Sequence, residues 1–276
     1  MARLEAGSRR LLLALAICPG PRPQVFLQAL GDQTPQVASA AVADLRQRGF
    51  LREVAGGLAL DHEPLAVAAR EADPEQVPLL HVRALKLLAS RHPATLSLSE
   101  GVGDRAEELL WHAEAAGDSK SAWTAAAQAG QAAANAGDHP RAVSAYQRGL
   151  THYELAGAEE GARREMVGGL ATSLASSGRR AEALELLAGA GEGLAPWATG
   201  LRIRARLRKD QGLTDAALSD VLAAREAAER SATLGEEEGI CEGIAILSEE
   251  ASVRLWRGEY AAAREAGEGA LRSLRD

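Results

Sequence analysis

Aromatic side chains are scarce in this chain: Phe, Trp and Tyr together make up 3% of its 276 residues. A β-sandwich needs aromatic and β-branched side chains to fill the space between its sheets, so the composition argues against that class. Ala and Leu are left to do the packing. They suit helix on helix, because Ala is the best helix former and lets helix axes approach closely. Cysteine is nearly missing too. Cys18 and Cys241 are the only two, which excludes a disulfide framework; their apolar helical contexts lead us to expect buried thiols. Long hydrophobic runs are absent. The longest, Leu11 to Cys18, is eight residues, against the ~20 that span a bilayer. It runs on into amphipathic sequence, which a cleaved signal would not do. The expectation is a cytoplasmic protein with no membrane partner.

Catalytic signatures are missing as well. The sequence has no GxxxxGK[ST] loop to cradle a triphosphate, and no GxSxG, HExxH or CxxC. The six histidines, His62, His81, His92, His112, His139 and His152, show no metal-ligand spacing with each other or with Cys. Acidic pairs such as Glu107-Glu108 and Glu249-Glu250, and the run Glu236-Glu237-Glu238, read as solvated helix faces. No enzyme, metal or cofactor is therefore expected within this chain.

Charge is uneven. The chain carries −7 overall. Through Leu60 there are seven Arg against four acids, or +3, which leaves 24 bases against 34 acids, or −10, for the rest. An acidic array is a poor surface for phosphates, which need clustered cations.

What the sequence does have is a repeat. Taking a bend glycine as anchor, Ala follows at the fifth position and Ala or Gly at the twelfth: Gly137 with Ala142 and Gly149, Gly178 with Ala183 and Ala190, Gly212 with Ala217 and Ala224, Gly258 with Ala263 and Ala270. Small residues at fixed offsets let two helices pack closely. Such a pair cannot bury its apolar face alone, so pairs stack and leave a concave surface for a partner.

Ahead of the repeat the pattern differs. Ser8 to Cys18 reads as a helix capped by Ser8, with Pro19-Gly20-Pro21 stopping it. A short helix covers Pro23 to Leu30, and a third runs from Pro35 to about Arg48, ended by Gly49. Phe50 to Val54 and Leu58 to Leu60, around Gly56-Gly57, read as two short strands. Three helices and a hairpin follow the order of a winged helix-turn-helix domain. Asp61 should cap the next helix, with Pro64 in its first turn. Glu75 to His92 is an apolar-striped helix and Pro93 to Gly103 a connector. Leu201 to Arg208 alternates with period two, yet a lone strand would lack a partner, so it is read as helix. The expected fold is all-α: a winged helix-turn-helix domain over 1–72, a helical spacer over 73–103, and a tetratricopeptide-like α-solenoid over 104–276.

Two passages carry a family resemblance: VADLRQRGFLREVAGGLALDHEPLAVAAR, residues 42–70, and AEELLWHAEAAGDSKSAWTAAAQAGQAAANAGDHPRAVSAYQRGL, residues 106–150. Together they resemble the C-terminal part of bacterial STAND-type transcriptional regulators of the LuxR/MalT or SARP-like kinds. That resemblance implies a non-catalytic regulatory and protein-interaction module. An inducer or protein partner would sit in the groove, and an upstream nucleotide-binding domain holding ATP or ADP would pack on the winged helix. It also implies a nucleotide-sensing role for the histidine after the wing, which is His62 here; the order Asp61-His62-Glu63 departs from the family's His-Asp.

The tetratricopeptide frame assigns Gln131, Asn135, Arg202, Arg206, Lys209, Ser252 and Trp256 to the concave side. Arg202, Arg206 and Lys209 form one helical stripe suited to an anionic ligand or acidic peptide. The alternative is a freestanding winged-helix DNA-binding repressor, for which Arg46 and Arg48 on the third helix would be the contacts.

Overall fold

The computed structural model describes residues 4–90, 102–189, 197–230 and 236–274, with the side chains of 102–103 and 236–239 left aside. Among these residues the chain is mostly helical, with a small two-stranded antiparallel hairpin. It divides into two compact units, Met1–Ala132 with Thr151–Gly157, and Ala133–Leu150 with Ala158–Asp276.

The first unit is built around α1 (Ala6–Ala16), whose residues Leu11 through Ala16 are all buried. A helix buried on every face needs neighbours on every face. Here they are α2 (Gln24–Leu30), α3 (Pro35–Gln47), β2 (Gly57–Leu60) and α4 (Glu63–Ala72). Leu11, Leu12, Ile17, Phe26, Leu30 and Leu45 fill the core at 0% exposure. Ser8 does not cap the helix. The helix begins two residues earlier, and the Ser8 hydroxyl donates to Asp44 at 2.6 Å, tying α1 to α3. Thr34 caps α3 by accepting from the Val37 N–H, and Gly49 ends that helix with φ +71°.

The hairpin pairs β1 (Leu51–Val54) with β2 in the register Leu51 to Leu60 and Val54 to Gly57. A third backbone segment joins it, since Arg22 exchanges both backbone hydrogen bonds with Leu58, at 2.9 and 2.8 Å. The fit is tight: a Cβ on Gly57 would lie 2.3 Å from the Arg22 carbonyl oxygen, and the residue sits at φ +128°. Asp61 closes the hairpin through its N–H to Phe50, so the N-terminal position of α4 falls to His62, which makes no side-chain cap.

Next come α5 (Gln76–Ala89), α6 (Val102–Ala116) and α7 (Ser119–Asn135). Leu80, Ala84 and Leu88 of α5 belong to the α1 core, and Leu85 joins Leu110, Ala113 and Ala122 in a second cluster. The segment expected as a spacer thus contributes core to the first unit. The expected connector at 93–103, His92 and the repeat position Ala190 lie largely or wholly outside the described residues.

The second unit contains α8 (His139–Thr151), α10 (Glu160–Ser176), α11 (Arg180–Gly189), α12 (Ala198–Asp210), α13 (Thr214–Arg230), α14 (Glu236–Trp256) and α15 (Tyr260–Ser273); the one-turn α9 (Tyr153–Ala156) returns to the first. Each helix from α10 packs on the next, and α10 touches α12 as α12 touches α14. The alternating segment Leu201 to Arg208 is helical, inside α12.

The turns repeat to the atom. At Gly117, Gly137, Gly178, Gly212 and Gly258 the glycine is left-handed and its N–H bonds three residues back. The next N–H bonds five back, and the alanine five residues on bonds to the residue that opens the new helix. This is the Schellman arrangement, which satisfies the last carbonyls of a helix. Those alanines, Ala122, Ala142, Ala183, Ala217 and Ala263, are all buried. The frame at Gly117 is one more than the sequence pattern revealed.

Candidate functional site

The residues proposed for the groove do not form one free basic stripe. Arg202 makes a paired contact with Glu242 of α14, at 3.0 and 3.4 Å. Lys209, 8% exposed, donates to Glu249 at 2.8 Å and to Ser252 at 2.8 Å. Arg202, Lys209 and Ser252 therefore lock α12 to α14. Arg206 is exposed and makes no ion pair among the described residues, and Trp256 is 65% exposed. Gln131 and Asn135 are both exposed on α7, Gln131 in the first unit and Asn135 in the second. On the same helix stack Asp220, 4% exposed, accepts from both Arg204 and Arg208, while Glu250 accepts from Arg225 and Arg254. Most of these cations meet a carboxylate on another helix, and of the residues expected in the groove on α12 and α14 only Arg206 and Trp256 stay exposed.

The residues proposed for DNA contact are engaged as well. Arg46 pairs with Glu53 of β1 at 2.8 Å, and Arg48 with Asp44 one turn back at 2.6 Å. The Ser8 hydroxyl and then Arg48 hold the Asp44 carboxyl below the usual carboxylate range. A phosphate would have to displace these carboxylates. His62 is exposed, with Nε2 3.4 Å from Asp61. Cys18 is half-buried, its thiol donating to the Ala14 carbonyl at 3.1 Å, and Cys241 is exposed, not buried as its apolar surroundings implied.

The structure assembles one polar site that spacing did not reveal. Arg22, Glu108, His112 and His81 are 4%, 5%, 0% and 2% exposed, in the core of the first unit. Arg22 donates to Glu108 from a guanidinium 5.9 Å above the Phe26 ring. His112 Nε2 lies 3.5 Å from Glu108, and His112 Nδ1 lies 2.8 Å from His81 Nδ1. Two nitrogen lone pairs cannot face each other at that distance, so one hydrogen lies between them. A hydrogen on His81 Nδ1 puts the other on His112 Nε2, facing the carboxylate; the reverse would set a lone pair against it. The chain of charge is then Arg22, Glu108, His112, His81. Burial alone would raise the Glu108 acid, but His112 and Arg22 outweigh it and bring it below its ordinary value. Burial, His112 and Arg70 push His81 down to about 4. The indole of Trp111 sits edge-on to both imidazoles, with centroids 4.9 Å away in each case. Trp111 also lines a cleft of about 610 Å³ shared with Cys18, Arg52, Asp61 and Arg70. The histidines stand 31 residues apart, so only the packing of α5 on α6 joins them.

No family model matches this chain, and no curated protein matches it in sequence. Among the described residues no helix is long and apolar enough to cross a membrane.

Proposed function

We propose that the chain is a non-catalytic regulatory and protein-interaction module of a bacterial transcriptional regulator. In this reading residues 104–276 are a tetratricopeptide-like array that takes up an inducer or protein partner. Residues 1–72 are a winged helix that passes the signal to an upstream ATPase switch. The observation that carries it is the recurrence of one turn geometry at five glycines, each followed by a buried alanine at the same offset. Repetition of that kind builds stacked helix pairs, whose use is to hold partners. The hairpin, widened by Arg22 and following α1 to α3, supports the winged-helix reading. Coupling is a population shift: a partner that binds one arrangement of the pairs better than another moves the equilibrium by its difference in affinity. His62 would meet the nucleotide of the upstream domain, ATP or ADP, through its exposed ring.

The test is site-specific photo-crosslinking in the producing cell from position 206, with position 226 on α13 as control. A defined adduct with one inducer or protein partner from 206 alone is expected. The same adducts from both positions, or none, would remove the reading. The alternative, a DNA-binding repressor, predicts a salt-dependent shift of promoter DNA that Arg46→Ala with Arg48→Ala abolishes. The intramolecular pairing of both arginines speaks against it.

A further inference from the structure

A cleft of about 620 Å³ opens in the first unit between α1, α4, α5 and the turn after α2. Its apolar wall is Leu13, Ala69 and Leu80, all buried. Its polar side carries three arginines, Arg9, Arg10 and Arg83. Arg83 is anchored: Nη1 donates to the Leu30 carbonyl at 3.0 Å, and Nη2 lies 3.8 Å from Asp32. Arg9 and Arg10 are exposed and make no ion pair among the described residues. They stand near the N-terminal end of α1, whose first turn holds no acid and whose preceding Glu5 makes no side-chain cap. That end of a helix is the positive end of its dipole, so cations there gain from an anion brought to them. Asp32 and Asp73 also border the cleft, but both are exposed and neither pairs with Arg9 or Arg10. Three arginines against two aspartates leave the cleft cationic.

We propose that this cleft binds a small organic phosphate, a phosphate monoester carried on an apolar body. The volume is that of a small-molecule site, and the mixture of an apolar wall with a few charged groups is what such sites share. Guanidinium forks match phosphate oxygens two at a time. A phosphate monoester carries between about −1.5 and −2 charge at neutral pH, which suits two arginines that have no carboxylate of their own. A single carboxylate would answer only one of them. The apolar body lies on Leu13 and Leu80, where it covers wall that the chain leaves facing the cleft. Asp73, at the end of α4, offers an acceptor for a hydroxyl on that body. Every residue lining the cleft precedes the repeat array in the chain. The inference therefore goes beyond the regulatory reading and does not depend on it.

Calorimetric titration of the full chain with phenyl phosphate tests the proposal. Binding with a Kd of about 1 mM or tighter is expected for a ligand of that size. Inorganic phosphate, which lacks the apolar body, and benzoate, which has a single charge, should each bind more weakly. Arg9→Gln with Arg10→Gln should weaken phenyl phosphate about tenfold or more. Ala72→Trp, at an exposed position on the cleft's edge, should block it without removing a charge. Arg180→Gln, an exposed arginine of α11, is the control and should leave binding intact. Circular dichroism of each variant separates lost binding from lost folding. No heat from phenyl phosphate would overturn the proposal. So would inorganic phosphate or benzoate binding as tightly, or binding that survives both the double substitution and Ala72→Trp.

Discussion

Arg22 is held from two sides. Its backbone pairs with Leu58 of the hairpin, while its guanidinium reaches Glu108 on α6, 86 residues away. Removing one partner of such a buried pair leaves an uncompensated charge. His81 gives the cluster a measurable pH signature. The unfolded imidazole takes up its proton near 6.5, the folded one near 4. Between those values the unfolded state binds more protons, so the contribution is whole above 6.5 and is lost as pH falls towards 4. The loss should be on the order of 2 kcal/mol. Urea midpoints measured across that window should fall in the wild type and fall less in His81→Gln, whose amide keeps hydrogen-bonding capacity but does not titrate. A flat wild-type profile would show that the ring is not held neutral.

Helix ends decide how one element meets the next. In each repeated turn the glycine adopts φ between +70° and +82°, a region that costs an L-residue about 1–2 kcal/mol. Nothing crowds the missing side chain at Gly212, so Gly212→Ala should cost about that amount through backbone strain alone. Gly243, inside α14 with open space around it, should respond in the opposite sense: Gly243→Ala is expected to stabilise by roughly 0.5–1 kcal/mol. Chemical denaturation of the two variants side by side reads the contrast. Equal effects would mean that the left-handed turn is not what holds α12 to α13. Between these ends the ion pairs from α12 to α14 carry geometry more than energy. They place Arg202 and Lys209 against fixed carboxylates and so set the register of the stack.

At the scale of the molecule, charge is the property that acts at a distance. The chain carries −7, with its positive excess before Leu60 and its acids beyond. Arg46, Arg48, Arg202 and Lys209 are already paired with carboxylates, so these four are not free for polyanions. At pH 7 the protein should bind an anion exchanger and leave heparin at low salt. Retention on heparin at physiological ionic strength would restore the DNA-binding alternative.

Local rules were legible in the chain by itself. The turn glycines, the small residues behind them, the Thr34-Pro35 helix start and the Gly56-Gly57 hairpin are short-range features, each set by what one residue's backbone tolerates. So were the helical class and the helix at Leu201 to Arg208, since an isolated strand has nowhere to place its hydrogen bonds. The fifth frame at Gly117 was open to the same reasoning and went unread. Tertiary packing decided the rest. A stripe of basic side chains looks free on a helical wheel, yet whether Lys209 meets a ligand or Glu249 depends on which helix lies alongside. Ser8 could cap its own helix or bond to Asp44, and the approach of α3 chose the latter. His81 and His112 carry no sequence signal at all, because desolvation and pairing arise only where separate helices bury the same space.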